Sequence, residues 1–561
     1  MNKIFGLFTS AIIIASSTTI SALAADSVTR QPGVIDRQIR MPEIPNNLNQ
    51  LQDRVQGTPN QPALDDFRGS NRPLPTLSAI TFNGSTILDS EELNAIGERY
   101  LDRPITENDI ARLKFDITKA YADRGNILVK VATPSQNLNT GNLVVNIYEG
   151  KIGRVITQGN AIASYVPEAF AHALGGGVFD EKAASEVVND LNEINNINSS
   201  ITLKPGMEPI TTDIILNVQN QPGEDKNYIG IDNYGAKLTG EWQGDAHLEK
   251  SNALGIGEKL TLDGRVSQDG LYGVGGGAKI PTGIWNTYLE TSYNHSHNEI
   301  GDRLAFLNSE GTSHVGDIAI SGNLKNSTST KINLKTGLQV RNHKSTLNGS
   351  TSTLDKIRRL YAEASYLGLA ADTLVLVDGK ISKGINLFGA SEEGDAKNTR
   401  ATGNPEAWIF EPTLFVRHNL TSNDFLKFFA RGQYANEALL SSDLFSIGGY
   451  GSVRGFQPAQ ETGERGVSAT AEYVHSFGLT DSSYLEVGPW FDIGTIDNEV
   501  ASSIPVEDTL YSVGLGAKLG ANLIPAGETS VRVDWAHPLS DTDGYTDVDD
   551  NSFYVRLQQD F

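Results

Sequence analysis

The chain has no cysteine, no long apolar run and little positive charge. Without cysteine it can have no disulfide, no thiolate metal ligand and no cysteine nucleophile. A net charge of −23 leaves it without the basic patches that phosphate binding needs, so we expect no nucleic acid as partner. Beyond the N-terminus no stretch approaches the roughly 18 consecutive apolar residues of a membrane-spanning helix. If this chain crosses a membrane, it therefore does so as a β-barrel.

The N-terminus has the composition of an export signal. Lys3 precedes an apolar run that includes residues 12–14, and small residues follow up to Ala22-Leu23-Ala24. We predict a signal peptide over residues 1–24, removed near Ala24. Residues 25–74 are polar and rich in proline, and they predict a linker with one short helix at about residues 45–55.

Two successive segments, residues 75–149 and 150–222, predict the same β-α-α-β-β order. The turns Asn83-Gly84 and Gly159-Asn160 lie at matching places, which favours an internal repeat. The first unit has strands predicted at 80–82, 127–131 and 143–148, with helices beginning at Ser90 and spanning about 106–124. The second has strands at 152–157, 200–203 and 212–218, with helices at 167–174 and 180–192.

From residue 223 to the end, apolar and polar residues alternate as in half-buried strands. The last strand ends on Phe561, an aromatic terminus that suits a membrane barrel, and we assign Phe561 as a barrel-assembly signal. All five tryptophans lie in this half, as aromatic girdles require. The pattern predicts sixteen strands: 227–236, 240–250, 257–267, 271–280, 285–297, 314–325, 330–343, 357–366, 372–382, 408–417, 424–435, 466–475, 483–494, 510–519, 528–537 and 551–561.

The predicted connections differ on the two sides of the barrel. Those after even-numbered strands are short, whereas those after odd-numbered strands are long from the fifth strand onward: 298–313, 344–356, 383–407, 436–465, 495–509 and 538–550. Outer-membrane barrels have this asymmetry, with short periplasmic turns and long outer loops. An even strand number places residues 75–222 on the periplasmic side.

The longest connection and the thirteenth strand carry the motifs that identify a family. The loop contains Gly448-Gly449-Tyr450-Gly451, then Val453-Arg454-Gly455-Phe456, and the strand contains Phe491-Asp492-Ile493-Gly494. The first resembles the VRGF signature of the two-partner secretion outer-membrane transporters, the TpsB group of haemolysin secretion/activation type. The second resembles the F-x-D-x-G element of the same superfamily. The resemblance implies two polypeptide-transport-associated (POTRA) domains and a 16-stranded antiparallel outer-membrane barrel.

The loop and strand motifs predict one contact. Alternation places Asp492 in the lumen, and an arginine brought into a lumen needs a carboxylate, which a guanidinium can bind with two hydrogen bonds. Gly448, Gly449, Gly451 and Gly455 permit close passage and positive φ. We therefore expect a docking site for the loop on the barrel wall, made by Val453, Arg454, Gly455, Phe456, Phe491, Asp492 and Gly494. The resemblance implies that this contact holds the resting state of a pore.

The resemblance also implies a large secreted partner, unfolded in transit, that the periplasmic units capture. Backbone pairing at an open sheet edge needs little side-chain specificity. In a three-stranded unit the penultimate strand is such an edge, so the candidates are Ile127, Leu128, Val129, Lys130 and Val131 and, in the second unit, Ile201, Thr202 and Leu203. Plain sheet core is the alternative for both. Outer-membrane lipid and the barrel-assembly machinery complete the expected partners of a monomer.

Several alternatives stay open at this point. A barrel-assembly insertase of the same superfamily would usually carry more POTRA units, an outer-membrane enzyme would need a nucleophile and a base, and a porin would not need residues 75–219. The family's pore-plugging helix is in doubt, since Pro42 and Pro45 interrupt the two candidate segments. The acidic loop 541–550 could bind calcium or be a solvated surface loop. We predict no catalytic residue, no metal and no cofactor.

Overall fold

The computed structural model describes residues 68–159, 161–194, 196–220, 225–498, 509–524, 527–540 and 548–561. The predicted signal peptide, the short helix at 45–55 and most of the acidic loop 541–550 lie outside these residues. Short 3-10 helices occur at Glu98–Tyr100, Leu138–Thr140, Asp302–Leu307 and Ser441–Asp443. Across the described ranges, no helix combines the length and the apolar character needed to cross a membrane.

The first unit is a three-stranded sheet covered by two helices. Its elements are β1 (Pro73–Leu74), β2 (Ala79–Asn83), α1 (Ser90–Gly97), β3 (Ile105–Thr106), α2 (Glu107–Asp123), β4 (Val129–Ala132) and β5 (Asn142–Glu149). The sheet order is β2-β5-β4, and β1 pairs with β3. Each helix begins at a capping box, Asp89 with Glu92 and Thr106 with Asp109, which satisfies backbone N–H groups of the first turn. Leu113, from α2, and Val145, from β5, are fully buried between the helices and the sheet.

The second unit repeats this arrangement. It consists of β6 (Lys151–Gln158), α3 (Tyr165–Leu174), α4 (Glu181–Asn192), β7 (Ile197–Pro205) and β8 (Thr211–Asn220), with the sheet order β6-β8-β7. In the first unit, β2 is parallel to the central strand β5 and β4 is antiparallel to β5. In the second unit, β6 is likewise parallel to the central strand β8 and β7 is antiparallel to β8. Gly84 and Gly159, in the two matching turns, have φ of +89° and +117°. The predicted β-α-α-β-β order is confirmed.

Sixteen strands close into the predicted barrel. They are β9 (Tyr228–Asp232), β10 (Gln243–Ser251), β11 (Lys259–Ser267), β12 (Tyr272–Pro281), β13 (Thr287–Glu299), β14 (Ser309–Asn326), β15 (Thr330–Leu347), β16 (Ser350–Ala370), β17 (Thr373–Gly384), β18 (Trp408–Asn419), β19 (Asp424–Ala435), β22 (Arg465–Thr480), β23 (Ser483–Asp497), β24 (Thr509–Ile524), β25 (Gly527–Pro538) and β26 (Ser552–Asp560). Two short strands, β20 (Phe445–Ile447) and β21 (Glu461–Gly463), lie between β19 and β22. The barrel closes where β26 pairs with β9, from Arg556–Asp232 to Asp560–Tyr228.

One predicted loop is wrong. Residues 344–356 continue β15 and β16 as a long hairpin whose turn is Asn348-Gly349, with φ of +48° and +75°. Asn-Gly is the preferred sequence of a two-residue turn with positive φ, so the signal was present. The residues on either side of the turn are polar, and a polar stretch is as typical of a loop as of a solvated hairpin. The first strand is also shorter than predicted, ending at Asp232 rather than at residue 236.

The alternation of side chains follows the prediction. On β23, Phe491 and Ile493 are 40% and 38% exposed on the outer face, whereas Trp490 and Asp492 are buried on the lumen face. On β26, Phe553 points outward and Tyr554 inward. The barrel therefore has an apolar outer surface and a polar interior, which is the arrangement that a membrane-spanning barrel requires.

The second unit contacts the barrel end where the short turns lie. Asn323 and Asn326, at the end of β14, donate to Asp190 Oδ1 at 2.9 and 2.8 Å. Lys331 Nζ lies 2.7 Å from Glu193 Oε1. A second set of bonds joins the turn at residues 252–258 to the segment before α3. Because these contacts come from two separate turns, they fix both position and orientation of the second unit.

Candidate functional site

The connection between β19 and β22, residues 436–464, folds back into the barrel and is called the long loop below. β20 and β21 pair within it as an antiparallel arm, with Phe445 opposite Gly463 and Ile447 opposite Glu461. The tip of the loop, residues 448–456, lies beyond this arm. Ile447 and Val453 are fully buried, so the loop is a packed element of the lumen and not a solvated excursion.

Arg454, at the tip, makes the predicted contact with Asp492. Its Nε and Nη2 donate to the two carboxylate oxygens at 2.7 and 2.8 Å, and its backbone N–H donates to Oδ2 at 3.1 Å. The guanidinium carbon lies 3.5 Å from the centre of the Trp490 ring, close enough for a cation–π contact. Both charged side chains are buried, and removing one partner of such a pair costs roughly 3–5 kcal/mol.

Of the other predicted docking residues, all but Phe491 take part in the contact. Gly455 donates its N–H to the Tyr554 hydroxyl at 2.8 Å, and Phe456 packs with Ile447 in one buried cluster. A Cβ on Gly494 would lie 2.9 Å from methyl carbons of both Ile447 and Val453, so the arm can reach the wall only over a glycine. Phe491 does not belong to the contact, because its side chain points outward.

The predicted loop glycines shape the turn at the tip. Gly448, Gly449 and Gly455 have φ of +100°, +84° and +96°, a region that favours glycine. Gly449 N–H donates to the Phe456 carbonyl at 3.1 Å, which closes the turn around Arg454. Gly451 lies within the same turn, and its predicted positive φ is not among those observed.

The structure adds residues that the motifs did not reveal. Arg454 Nη1 also donates to Asp534 Oδ1 at 3.2 Å, and the Tyr450 hydroxyl donates to Asp534 Oδ2 at 3.0 Å. Asp534 and Tyr554 both occupy polar positions in strands of alternating polar and apolar residues, and this is the signal that the sequence offers for them. Alternation gives the face of a residue but not which strands meet the loop tip.

A second buried contact holds the other end of the long loop. Asp443, just before the arm, accepts hydrogen bonds from Arg341 of β15 at 2.7 Å and from Arg359 of β16 at 2.6 Å. Glu464, just after the arm, pairs with Arg400 of the connection between β17 and β18. No motif marks these residues, so they cannot be selected from the sequence alone.

Both predicted edge strands lie at sheet edges, but the first of them begins two residues later than predicted, at Val129. β4 and β7 are terminal in their sheets, so Val129, Lys130 and Val131 and the set Ile201, Thr202 and Leu203 lie on edge strands. Ile127 and Leu128 precede β4 and pack instead against the core of the second unit. They therefore form part of the junction between the two units.

Phe561 lies at the point where the barrel closes. Its backbone N–H donates to the Asn227 carbonyl at 2.9 Å, and its ring is on the outer face, 45% exposed. The terminal residue therefore extends the pairing of β26 with β9 by one further bond.

Comparison with known proteins gives a family whose model matches more than half of the chain. The model for the haemolysin secretion/activation protein ShlB/FhaC/HecB matches residues 211–519, and the model for the ShlB-type POTRA domain matches residues 76–150. The chain is 21% identical to the heme/hemopexin transporter protein HuxB of Haemophilus influenzae, with 98% of this chain and 99% of that protein covered. It is 24% identical to the outer membrane transporter CdiB of Dickeya dadantii over 78% of this chain and 77% of that protein. The structure of CdiB from Escherichia coli superposes with a TM-score of 0.72 at 18% identity, covering 98% and 99% of the two chains.

Proposed function

The chain belongs to the haemolysin secretion/activation family of two-partner secretion transporters, and from that premise we propose that it captures one unfolded exoprotein in the periplasm and passes it through its barrel to the cell surface. The barrel lies in the outer membrane and the POTRA region in the periplasm. Family members are transporters and not enzymes, and we extend this to the present chain. Relatives are named for the transport of heme and hemopexin, and a large secreted protein is the corresponding partner here.

The observation that carries this proposal is the buried contact of Arg454 with Asp492 and Asp534 inside the barrel. A structural plug would need only apolar packing, whereas a buried ion pair has a desolvation cost that packing avoids. Such a pair suits a contact that has to release and re-form, because the freed groups are well solvated once water enters. We therefore assign the loop tip to the closed state of the pore.

The open edges of β4 and β7 support the periplasmic step. An unfolded chain presents backbone N–H and C=O groups at every residue, and a sheet edge can pair with them whatever the sequence. The second unit sits directly on the barrel through Asp190 and Glu193, so a segment bound at β7 is held near the entrance.

Arg454→Ala and Asp492→Ala test the closed-state assignment. Each should impair secretion of the partner while the barrel still folds, as judged by its heat-modifiable mobility in gels. The partner is identified as the exported protein that accumulates in the periplasm when this chain is deleted. Arg465→Ala is the matched control, since Arg465 pairs with the exposed Asp497 at the same barrel end. Normal secretion by both variants would refute the assignment.

Deletion of residues 75–149 tests the capture step. The shortened protein should fail to bind the partner and yet conduct ions in planar bilayers, because the barrel does not use this unit for closure. Binding of the partner by the shortened protein would refute the role of the first unit. A general loss of outer-membrane proteins in a strain without this chain would favour an assembly insertase instead.

A further inference from the structure

A buried carboxylate precedes the first strand of the arm, and another follows the second strand. Asp443 stands two residues before Phe445, where the pairing of the arm begins, and Glu464 stands directly after the arm; neither side chain is exposed. Arg341 and Arg359 bind the two oxygens of Asp443, and Arg400 binds Glu464. These five residues are called the base contact, and both strands of the arm are tied by it.

The base contact and the tip contact lie on different parts of the wall. Arg341 and Arg359 belong to β15 and β16, whereas Asp492 and Asp534, which bind the tip, belong to β23 and β25. β17, β18, β19 and β22 lie between these two parts of the barrel. The arm therefore spans the lumen with an ionic contact at each end.

The base contact also fixes a second long connection, residues 385–407. Arg359 Nη1 donates to the Ala407 carbonyl at 2.9 Å, and Arg400 Nη1 donates to the Leu439 carbonyl at 2.9 Å. Ser441 N–H donates to Thr399 Oγ1, also at 2.9 Å. Because the base is joined to both the wall and a neighbouring loop, it cannot move without also displacing Thr399 and Arg400 of that loop.

The tip is the simpler end to release. It presents one charged side chain, Arg454, to the wall, and its backbone bends on glycines with positive φ. We propose that Asp443 and Glu464 are positioning residues that make the base a fixed pivot, so that the tip detaches and rebinds while the loop stays inside the barrel. This inference rests on the proposed function, since it assigns a role to a part of the same pore.

The absence of cysteine from the chain allows a direct test with two designed disulfides. Thr399→Cys with Ser441→Cys would lock the base, where the two residues are already hydrogen-bonded. Val453→Cys with Gly494→Cys would lock the tip, where a Cβ at position 494 lies 2.9 Å from Val453 Cγ2. Disulfide formation is checked by mass spectrometry, and secretion of the partner is compared between the oxidised and reduced forms of each variant.

The pivot predicts opposite results for the two disulfides. The oxidised base variant should secrete as well as its own reduced form. The oxidised tip variant should secrete less than its own reduced form, whose level already reflects the Cβ added at position 494. Loss of secretion with the base locked would show that the base has to move, which overturns the pivot. Secretion with the tip locked would instead contradict the proposed closed state, so the two failures are distinguishable.

Asp443→Asn supplies the second measurement. It keeps the size of the side chain but removes the charge between Arg341 and Arg359, so secretion should fall while the barrel still folds in the heat-modifiability assay. Adding the oxidised 399–441 disulfide should restore secretion, because the pivot is rebuilt without the carboxylate. Asp497→Asn, at an exposed ion pair of the same barrel end, is the control. A defect that the disulfide does not correct would overturn the positioning role.

Discussion

Arg454 is bound by its shape as well as by its charge. Its flat guanidinium donates to Asp492 through two nitrogens, to Asp534 through the third, and lies over the Trp490 ring. A lysine ammonium is a compact charge that cannot match this set of partners. At the scale of a residue, the loop tip therefore depends on geometry that a conservative change of charge does not preserve.

Arg454→Lys should therefore weaken the contact that holds the pore closed. The charge is retained, but the second bond to Asp492 and the stacking on Trp490 are lost, a change of about 1–3 kcal/mol. In planar bilayers we expect the channel to open more often than the parent protein. Arg465→Lys changes the same side chain at a half-buried position whose partner, Asp497, is exposed, and it should leave the opening frequency unchanged. Equal frequencies for Arg454→Lys and the parent would argue against this account.

At the scale of an element, β7 shows which backbone groups face the open edge. Ser199 N–H does not bond to β8 but to Asn192 Oδ1, at 2.6 Å. Backbone N–H groups alternate between the two edges of a strand, and the pairing with β8 is regular from residue 197 to 205. The N–H groups of Ile201 and Leu203 therefore point to the open edge, where an added strand would use them.

Replacing both Ile201 and Leu203 by proline should weaken capture of the partner. Proline removes the two edge donors and leaves the bonds to β8 intact, because those use other residues. The double change to alanine loses the same side chains but keeps both N–H groups, so it is the matched control. Photo-cross-linking of the partner to residue 202 in the periplasm measures capture. Equal cross-linking of the two variants would show that edge pairing is not used.

At the scale of the whole molecule, the second unit is docked through a buried acid. Burial raises the pKa of Asp190 from 3.8 to about 6, although Asn323 and Asn326 donate to it and partly offset the shift. The docked carboxyl thus keeps its proton over a range in which a solvated one has lost it. Docking is strongest below about pH 4 and weakens as the pH rises through 6, by about 2–3 kcal/mol in all.

Asp190→Asn should remove this pH dependence. The amide cannot ionise, so hydrogen exchange at residues 323–331, corrected for its intrinsic rate, should be equal at pH 4.5 and pH 7. In the parent protein the same segment should exchange faster at pH 7, because ionisation of Asp190 weakens the contact of the second unit with the barrel. Glu168→Gln, on the exposed side of α3, is the control. A parent protein whose corrected exchange is the same at both pH values would contradict the role of Asp190.

Removal of Phe561 tests whether this residue is needed for assembly of the whole barrel. Removing this residue deletes its bond to Asn227 and an outward aromatic ring, while Tyr228–Asp232 can still pair with β26. We expect less folded barrel in the outer membrane, measured by heat-modifiable mobility, and accumulation of unfolded chain in the periplasm. Phe553→Leu alters another outward aromatic on the same strand and should assemble normally. Normal assembly without Phe561 would refute its role as a signal.

Periodicity determined much of this protein from the sequence alone. Alternation along each strand depends only on neighbouring residues, so it defined sixteen strands, their outer faces and the lumen position of Asp492. The repeat of two units and the pairing of Arg454 with a carboxylate were likewise readable. The Asn348-Gly349 turn was a local signal too, hidden within a polar stretch.

Tertiary structure decided which wall the long loop meets at each end. Asp534 and Tyr554 join the tip, and Arg341, Arg359 and Arg400 join the base, across separations of 64 to 102 residues. Barrel closure brings these strands around a common lumen, and the loop's length and rigidity then select partners among many inward polar residues. Local sequence states which face a residue occupies, but only the closed circle of strands sets which residues face one another.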